Sequence, residues 1–314
     1  MRVKILMMIS ALLTQVFTVS AQVRVAKNIN YAGNTDLVNT LNVYHKKGAT
    51  NTDVIVFIHG GSWSSGKKET YWWLGRNFAK NNVTTAIINY PLAPIATYKE
   101  MATASAKATK WVRENIATFG GNPKRIFVMG HSAGAHLCEL INADPQYFDA
   151  LNIANPIKGV ILNDAFGLDM REYLSEAEKD DYYTDFIRTF SLDSNIWQLG
   201  SPLFYAKNIK NPHLIFYGTK TYPAIQIQSE RIYETLKEQN VPVKLQKIEG
   251  KKVFVRGRMQ GDDGTLYSES TGLFIKKRSS HPFLRSSFCI FPFVTSTILT
   301  PSVTLVKYLK TWRL

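Results

Sequence analysis

The chain is poor in cysteine and histidine, and each shortage excludes something. Two cysteines, Cys138 and Cys289, among 314 residues cannot make a disulfide framework. Cys138 falls in a helical stretch, where it reads as a small buried hydrophobe. There is no internal repeat and no nucleic-acid-binding module. The one long apolar run near the start, Ile5 to Val19, is short for a bilayer span and lacks a stop-transfer pattern. Preceded by Met1-Arg2-Val3-Lys4 and followed by Val19-Ser20-Ala21, it reads as a secretory signal peptide over residues 1–21, cut before Gln22. The expected location is therefore secreted or periplasmic, with no stable membrane span after cleavage. No cysteine near the cut suggests a lipoprotein.

Acidic residues are also scarce, but unevenly so. The formal charge is +14, yet Lys251 to Leu314 alone carry 11 Lys/Arg against 3 Asp/Glu. The rest holds 27 basic and 21 acidic residues, so the body is only mildly basic. This is no nucleic-acid footprint.

What is present is an ordinary apolar fraction, enough for one large domain, with strands alternating with helices. Two early strands are expected before Thr52. Asp53 to Ile58 is a continuous apolar run of the kind buried on both faces of a parallel sheet, and Thr84 to Asn89 is another. Tyr71 to Lys80 and Lys99 to Phe119 are expected helices, the second closed by Gly120-Gly121-Asn122-Pro123. Strands at Gly159–Leu162, His213–Tyr217 and Val243–Ile248, with a helix over Gln226–Glu238, complete a doubly wound, mostly parallel α/β sheet. Phe166 to Asn211 is an aromatic-rich excursion placed where a helical cap would sit. The expected division is residues 22–250 for the body, with a cap at about 166–211, and 251–314 for an atypical basic segment.

The chemistry concentrates at two strand ends. Gly130-His131-Ser132-Ala133-Gly134 follows the apolar run Arg125–Met129 and precedes a helix. Gly-x-Ser-x-Gly in that setting is a nucleophile elbow, with small residues two either side of the serine so that strand and helix can approach. Ser132 is the candidate nucleophile, and the amide of Ala133 at the helix start is a candidate oxyanion donor. His59-Gly60-Gly61-Ser62, after the earlier strand, is the candidate second half of the oxyanion hole.

Together with Trp63, with Asn89-Tyr90-Pro91-Leu92-Ala93-Pro94, with Trp111-Val112-Arg113-Glu114-Asn115 and with Phe119-Gly120-Gly121-Asn122-Pro123, these motifs resemble those of the hormone-sensitive-lipase-like esterases of the α/β-hydrolase superfamily. The style is closest to the bacterial feruloyl-esterase-like carboxylesterases. The resemblance covers about Asn42 to Gly250. It implies carboxylic-ester hydrolysis with neither metal nor cofactor, and names no substrate. The aromatic excursion and the expected export suit a small acyl or aryl ester, on a small molecule or linked to a polysaccharide.

Two departures follow. The family's acid usually comes after the strand at His213–Tyr217, but Gly218-Thr219-Lys220-Thr221-Tyr222-Pro223 holds no carboxylate. The substitutes are Asp164, the first candidate, and Asp169. The family's histidine should follow the last strand near Lys251, and none is there. Of His45, His59, His131, His136, His213 and His281, His281 is the one that could arrive from that end. The abrupt change at Lys251 fits either an extra module that supplies the base or a reading frame shifted near codon 251. Two functions are accordingly expected to compete: an exported serine esterase, and a hydrolase fold that binds without cleaving.

Overall fold

Every residue of Thr52–Ile58 (β3) is buried, which requires layers on both faces of the strand. Val54, Val56 and Ile58 join one core with Val128, Leu162 and the helices Tyr98–Asn115 and Ala133–Ala143. Ile55 and Phe57 join a second core with Phe127, Met129, Leu74 and Phe78 on the opposite face. Period-2 alternation thus builds a three-layer sandwich from one uninterrupted apolar run. The computed structural model describes residues 22–33, 37–179 and 181–250, and the backbone of strands 255–260 and 266–272.

The main sheet runs Val23–Asn30 (β1), Thr40–Lys46 (β2), Val83–Ile88 (β4), β3, Gly121–His131 (β5), Ile157–Asn163 (β6), His213–Gly218 (β7) and Val243–Ile248 (β8) in spatial order. β2 pairs antiparallel with β1 and β4, and all later neighbours are parallel. Helices Trp72–Lys80 (α1), Tyr98–Asn115 (α2), Ala133–Ala143 (α3) and Pro223–Glu238 (α8) flank it. The expected helix from Lys99 to Phe119 ends four residues early. Thr97 and Glu100 form a capping box at its start, and a 3-10 turn over Ile116–Phe119 closes on Gly120 at φ 80°, the left-handed stop that favours glycine.

Between β4 and β7, the connections carry Gln146–Asp149 (α4), Met170–Glu176 (α5), Asp181–Phe190 (α6) and Ser194–Leu199 (α7). The last three, with a 3-10 stretch at Pro202–Asn208, occupy the excursion expected from Phe166 to Asn211. Two further strands, Val255–Gln260 and Leu266–Gly272, pair antiparallel in a separate sheet. His281 lies outside the described residues. Cys138 is fully buried, and burial pushes its thiol pKa well up. No helix among the described residues is long and apolar enough to cross a membrane.

Candidate active site

β3 and β5 are adjacent and parallel, with Ile58 opposite Gly130, so the loops that follow them meet. From Ile126 to Asp144 every residue is buried except Ser132, which is partly exposed. Its backbone is held at φ 52°, ψ −120°, an unfavourable region for a side chain that costs about 1–3 kcal/mol and persists only where surroundings enforce it. Here they do. A Cβ on Gly130 would collide with the Gly134 carbonyl, and one on Gly134 with the Ile58 carbonyl. The two glycines are therefore required by backbone contact between strand, helix and neighbouring strand. The Ser132 amide donates to the Asn163 carbonyl at 2.9 Å, and the Ser132 carbonyl accepts from Phe166 at 3.4 Å. The segment after β6 is thereby laced to the elbow. Ala133 opens α3, where the first amides have no acceptor within the helix.

The glycine loop lies directly against this turn. A Cβ on Gly60 would stand 2.7 Å from the His131 carbonyl and 3.2 Å from Ser132 Cβ. Gly61, Ser62 and Trp63 follow with φ of 132°, 51° and 58°, three successive positive values, of which the tryptophan's is a true outlier. The turn is held by the Gly61 carbonyl, which accepts from the Ser64 amide at 3.1 Å and from the Ser65 amide and hydroxyl at 2.9 Å. The Trp63 ring is fully buried among Phe166, Phe186, Phe190 and His136, with ring centroids 5.0–5.9 Å away. The aromatics of the excursion from Phe166 to Asn211 thus pack onto the glycine loop as well as onto one another. The Tyr71 hydroxyl lies 2.9 Å from His131 Nδ1 and against the Gly60 backbone amide, tying loop to elbow.

Four of the histidines are committed to such duties. His59 Nδ1 donates to the Gly60 carbonyl at 2.9 Å, and its ring stacks on Tyr90, whose hydroxyl donates to the His59 carbonyl. His131 faces Tyr71. His136 spans Trp63 and Gly200. Burial lowers the pKa of all three to about 4, so they are neutral at pH 7. His213 bridges Glu139 and the Asn211 carbonyl, and His45 sits on β2 beside Phe119.

The two candidate acids separate. Asp164, at the end of β6, is 1% exposed and sits at φ 45°. Its carboxylate accepts from the Gly218 amide at 3.0 Å and the Thr221 hydroxyl at 3.4 Å. It therefore reaches the loop after β7, the very loop that carries no carboxylate of its own. Burial raises its pKa to about 7 against the pull of those two donors. Asp169 instead caps α5, accepting from the Glu172 amide at 2.9 Å, and faces Arg231 at 3.5 Å. Sequence reasoning missed Tyr71 and Thr221. Thr221 had a signal, since a polar residue stands where a carboxylate was sought; Tyr71, at a helix start, had none.

The model of the BD-FAE family matches residues 41–236. A rice protein named as a probable isoprenylcysteine alpha-carbonyl methylesterase is 25% identical over 232 residues, 69% of this chain and 55% of that one. Esterase LipQ of Mycobacterium tuberculosis is 28% identical over 199 residues, 59% of this chain and 46% of its own length. The chain thus spans about half the length of these curated relatives. Among solved structures, esterase B of Lactobacillus rhamnosis superposes with a TM-score of 0.63 at 17% identity, covering 73% of this chain and 76% of that one. The hyperthermophilic esterase of Pyrobaculum calidifontis does so at 0.60 and 20%, over 74% and 77%. These likenesses establish the α/β-hydrolase fold.

Proposed function

The chain belongs to the BD-FAE family, and on that premise we propose that it hydrolyses carboxylic esters through Ser132. The observation that carries the reading is the elbow: one partly exposed serine in a buried stretch, forced into a left-handed turn by contacts at Gly130 and Gly134. Ser132 Oγ attacks the ester carbonyl and gives its proton to a base. Amides of Gly61 and Ala133 stabilise the oxyanion, the alcohol leaves with the proton, and water releases the acyl group. Asp164 is the acid that orients the base, and the base comes from the residues after the last sheet strand, with His281 as its candidate. The aromatic cap suits a small acyl or aryl ester. The apolar start of the chain supports export, where such an ester would decorate a polysaccharide.

A binding role without turnover is the second reading. It is favoured by the engagement of the described histidines in contacts away from Ser132. Turnover of p-nitrophenyl acetate and labelling by a fluorophosphonate decide between them. The hydrolase reading expects Ser132→Ala to abolish both and His281→Ala to lower kcat by on the order of a million-fold. Unlabelled parent protein leaves only the binding role. A His281→Ala variant as active as the parent moves the base elsewhere. Release of acetate or hydroxycinnamate from polysaccharide, and N-terminal sequencing of the protein from culture medium, check substrate and export.

A further inference from the structure

His136 stands one turn beyond Ser132 on α3, fully buried, and is used by none of the steps above. Its two nitrogens face two different segments. Trp63 Nε1, a group that can only donate, points at Nδ1 from 3.3 Å. Nδ1 must therefore accept, and the ring hydrogen sits on Nε2, 2.7 Å from the Gly200 carbonyl in the cap. Burial keeps the ring neutral, which is the form this pattern needs. The residue at one end of the bridge is also the most strained in the glycine loop, since Trp63 holds φ 58° directly after Ser62 at 51°. At the other end, Gly200 packs against Phe190, whose ring also touches Trp63.

We propose that His136 is a positioning residue that fixes the oxyanion loop and the substrate-side cap to the nucleophile helix through one imidazole. The inference rests on the serine-hydrolase reading of the site. Nδ1 fixes the loop and so acts on the chemical step. Nε2 fixes the cap and so acts on substrate binding. The two functions of the ring are separable by substitution. Asparagine places an amide near the Nδ1 position and glutamine near the Nε2 position. His136→Asn therefore keeps an acceptor for Trp63 and drops the cap, whereas His136→Gln keeps a donor for Gly200 and strands the indole.

The test is steady-state kinetics on p-nitrophenyl acetate for the full chain, His136→Asn, His136→Gln, Trp63→Phe and the Gln/Phe double variant. His136→Asn should retain most of the parent kcat with a raised KM. His136→Gln and Trp63→Phe should each lose about 10- to 100-fold in kcat, the scale of a catalytic group displaced by an ångström, and the double variant should lose no more than either. Asn and Gln variants with the same kcat and KM, or losses that multiply in the double variant, overturn the bridge. Ser132→Ala in parallel separates the two failures: an active alanine variant removes the hydrolase reading itself and this inference with it. An inactive one with unsplit His136 variants removes the bridge alone. Where a variant does not fold, ring 15N spectra of the parent decide, since the bridge requires a neutral His136 with its hydrogen on Nε2, and the opposite tautomer overturns it.

Discussion

At the ends of β3 and β5 the candidate site is made of backbone; at the ends of β6 and β7 it is made of side chains. The first half depends on where chains can approach. Gly60 lies on the elbow, Gly130 and Gly134 permit strand and helix to touch, and buried rings hold the strained turn at Trp63. The second half depends on a carboxyl group from one strand meeting donors from the next, as Asp164 does with Gly218 and Thr221. Backbone shape is dictated by neighbours in sequence, so such motifs are compact and recur in fixed order. A carboxylate can be supplied from either of two adjacent strand ends that converge, and its origin can move without moving the site.

The sharpest way to break that comparison is Asp164→Asn. As the acid of a triad, its loss should cost on the order of 10,000-fold in kcat. Stability should move the other way. The folded carboxyl titrates at about 7 against 3.8 for an ordinary one, because burial outweighs its two donors. Between those values the folded chain binds the proton and the unfolded chain releases it. The stabilisation is full below about pH 4 and is lost as pH rises through 7, a change of about 4 kcal/mol at most. An amide does not titrate. Urea unfolding should therefore show Asp164→Asn gaining on the parent from pH 4 to 7 and exceeding it at pH 8. An Asn variant less stable than the parent at pH 8 would place a positive charge beside Asp164, as an imidazolium from beyond residue 250 would.

Gly60→Ala probes the backbone half. Its Cβ would meet the His131 carbonyl at 2.7 Å and His131 Nδ1 at 2.9 Å, so the loop must retreat from the elbow and carry its amides with it. The expected loss is about 100- to 1000-fold in kcat, with a stability cost of about 1–3 kcal/mol for overpacking. Parent-like kcat would mean that the loop contributes no oxyanion donor.

The same contrast explains what could be read from sequence. The strands of the parallel sheet, the elbow and the glycine loop were legible because apolar runs and glycine spacing report local geometry. Thr221 and Tyr71 were not, since each acts on a partner 57 or 60 residues away, and no periodicity encodes such a meeting. The base stayed open for the same reason. Histidine type alone does not separate His59, His131 and His136, spent on holding loops, from an imidazole over Ser132.

Asp164 and Asp169, five residues apart, were equivalent as letters and differ in structure. Asp169 accepts from the Glu172 amide at the start of α5, an N-cap worth about 1 kcal/mol. Its ion pair with Arg231 is long and partly exposed on both sides, and adds little. Arg231 is moreover held by a two-pronged pairing with Glu172, which survives the loss of Asp169. Asp169→Ala should thus unfold at slightly lower urea, by about 1 kcal/mol, with kcat and KM for p-nitrophenyl acetate unchanged. A loss of kcat comparable to that of Asp164→Asn would transfer the acid's role to the cap residue. The convergence of Asp164 on the β7 loop would then be structural, an acceptor for a strand-end amide and a hydroxyl rather than the partner of a base.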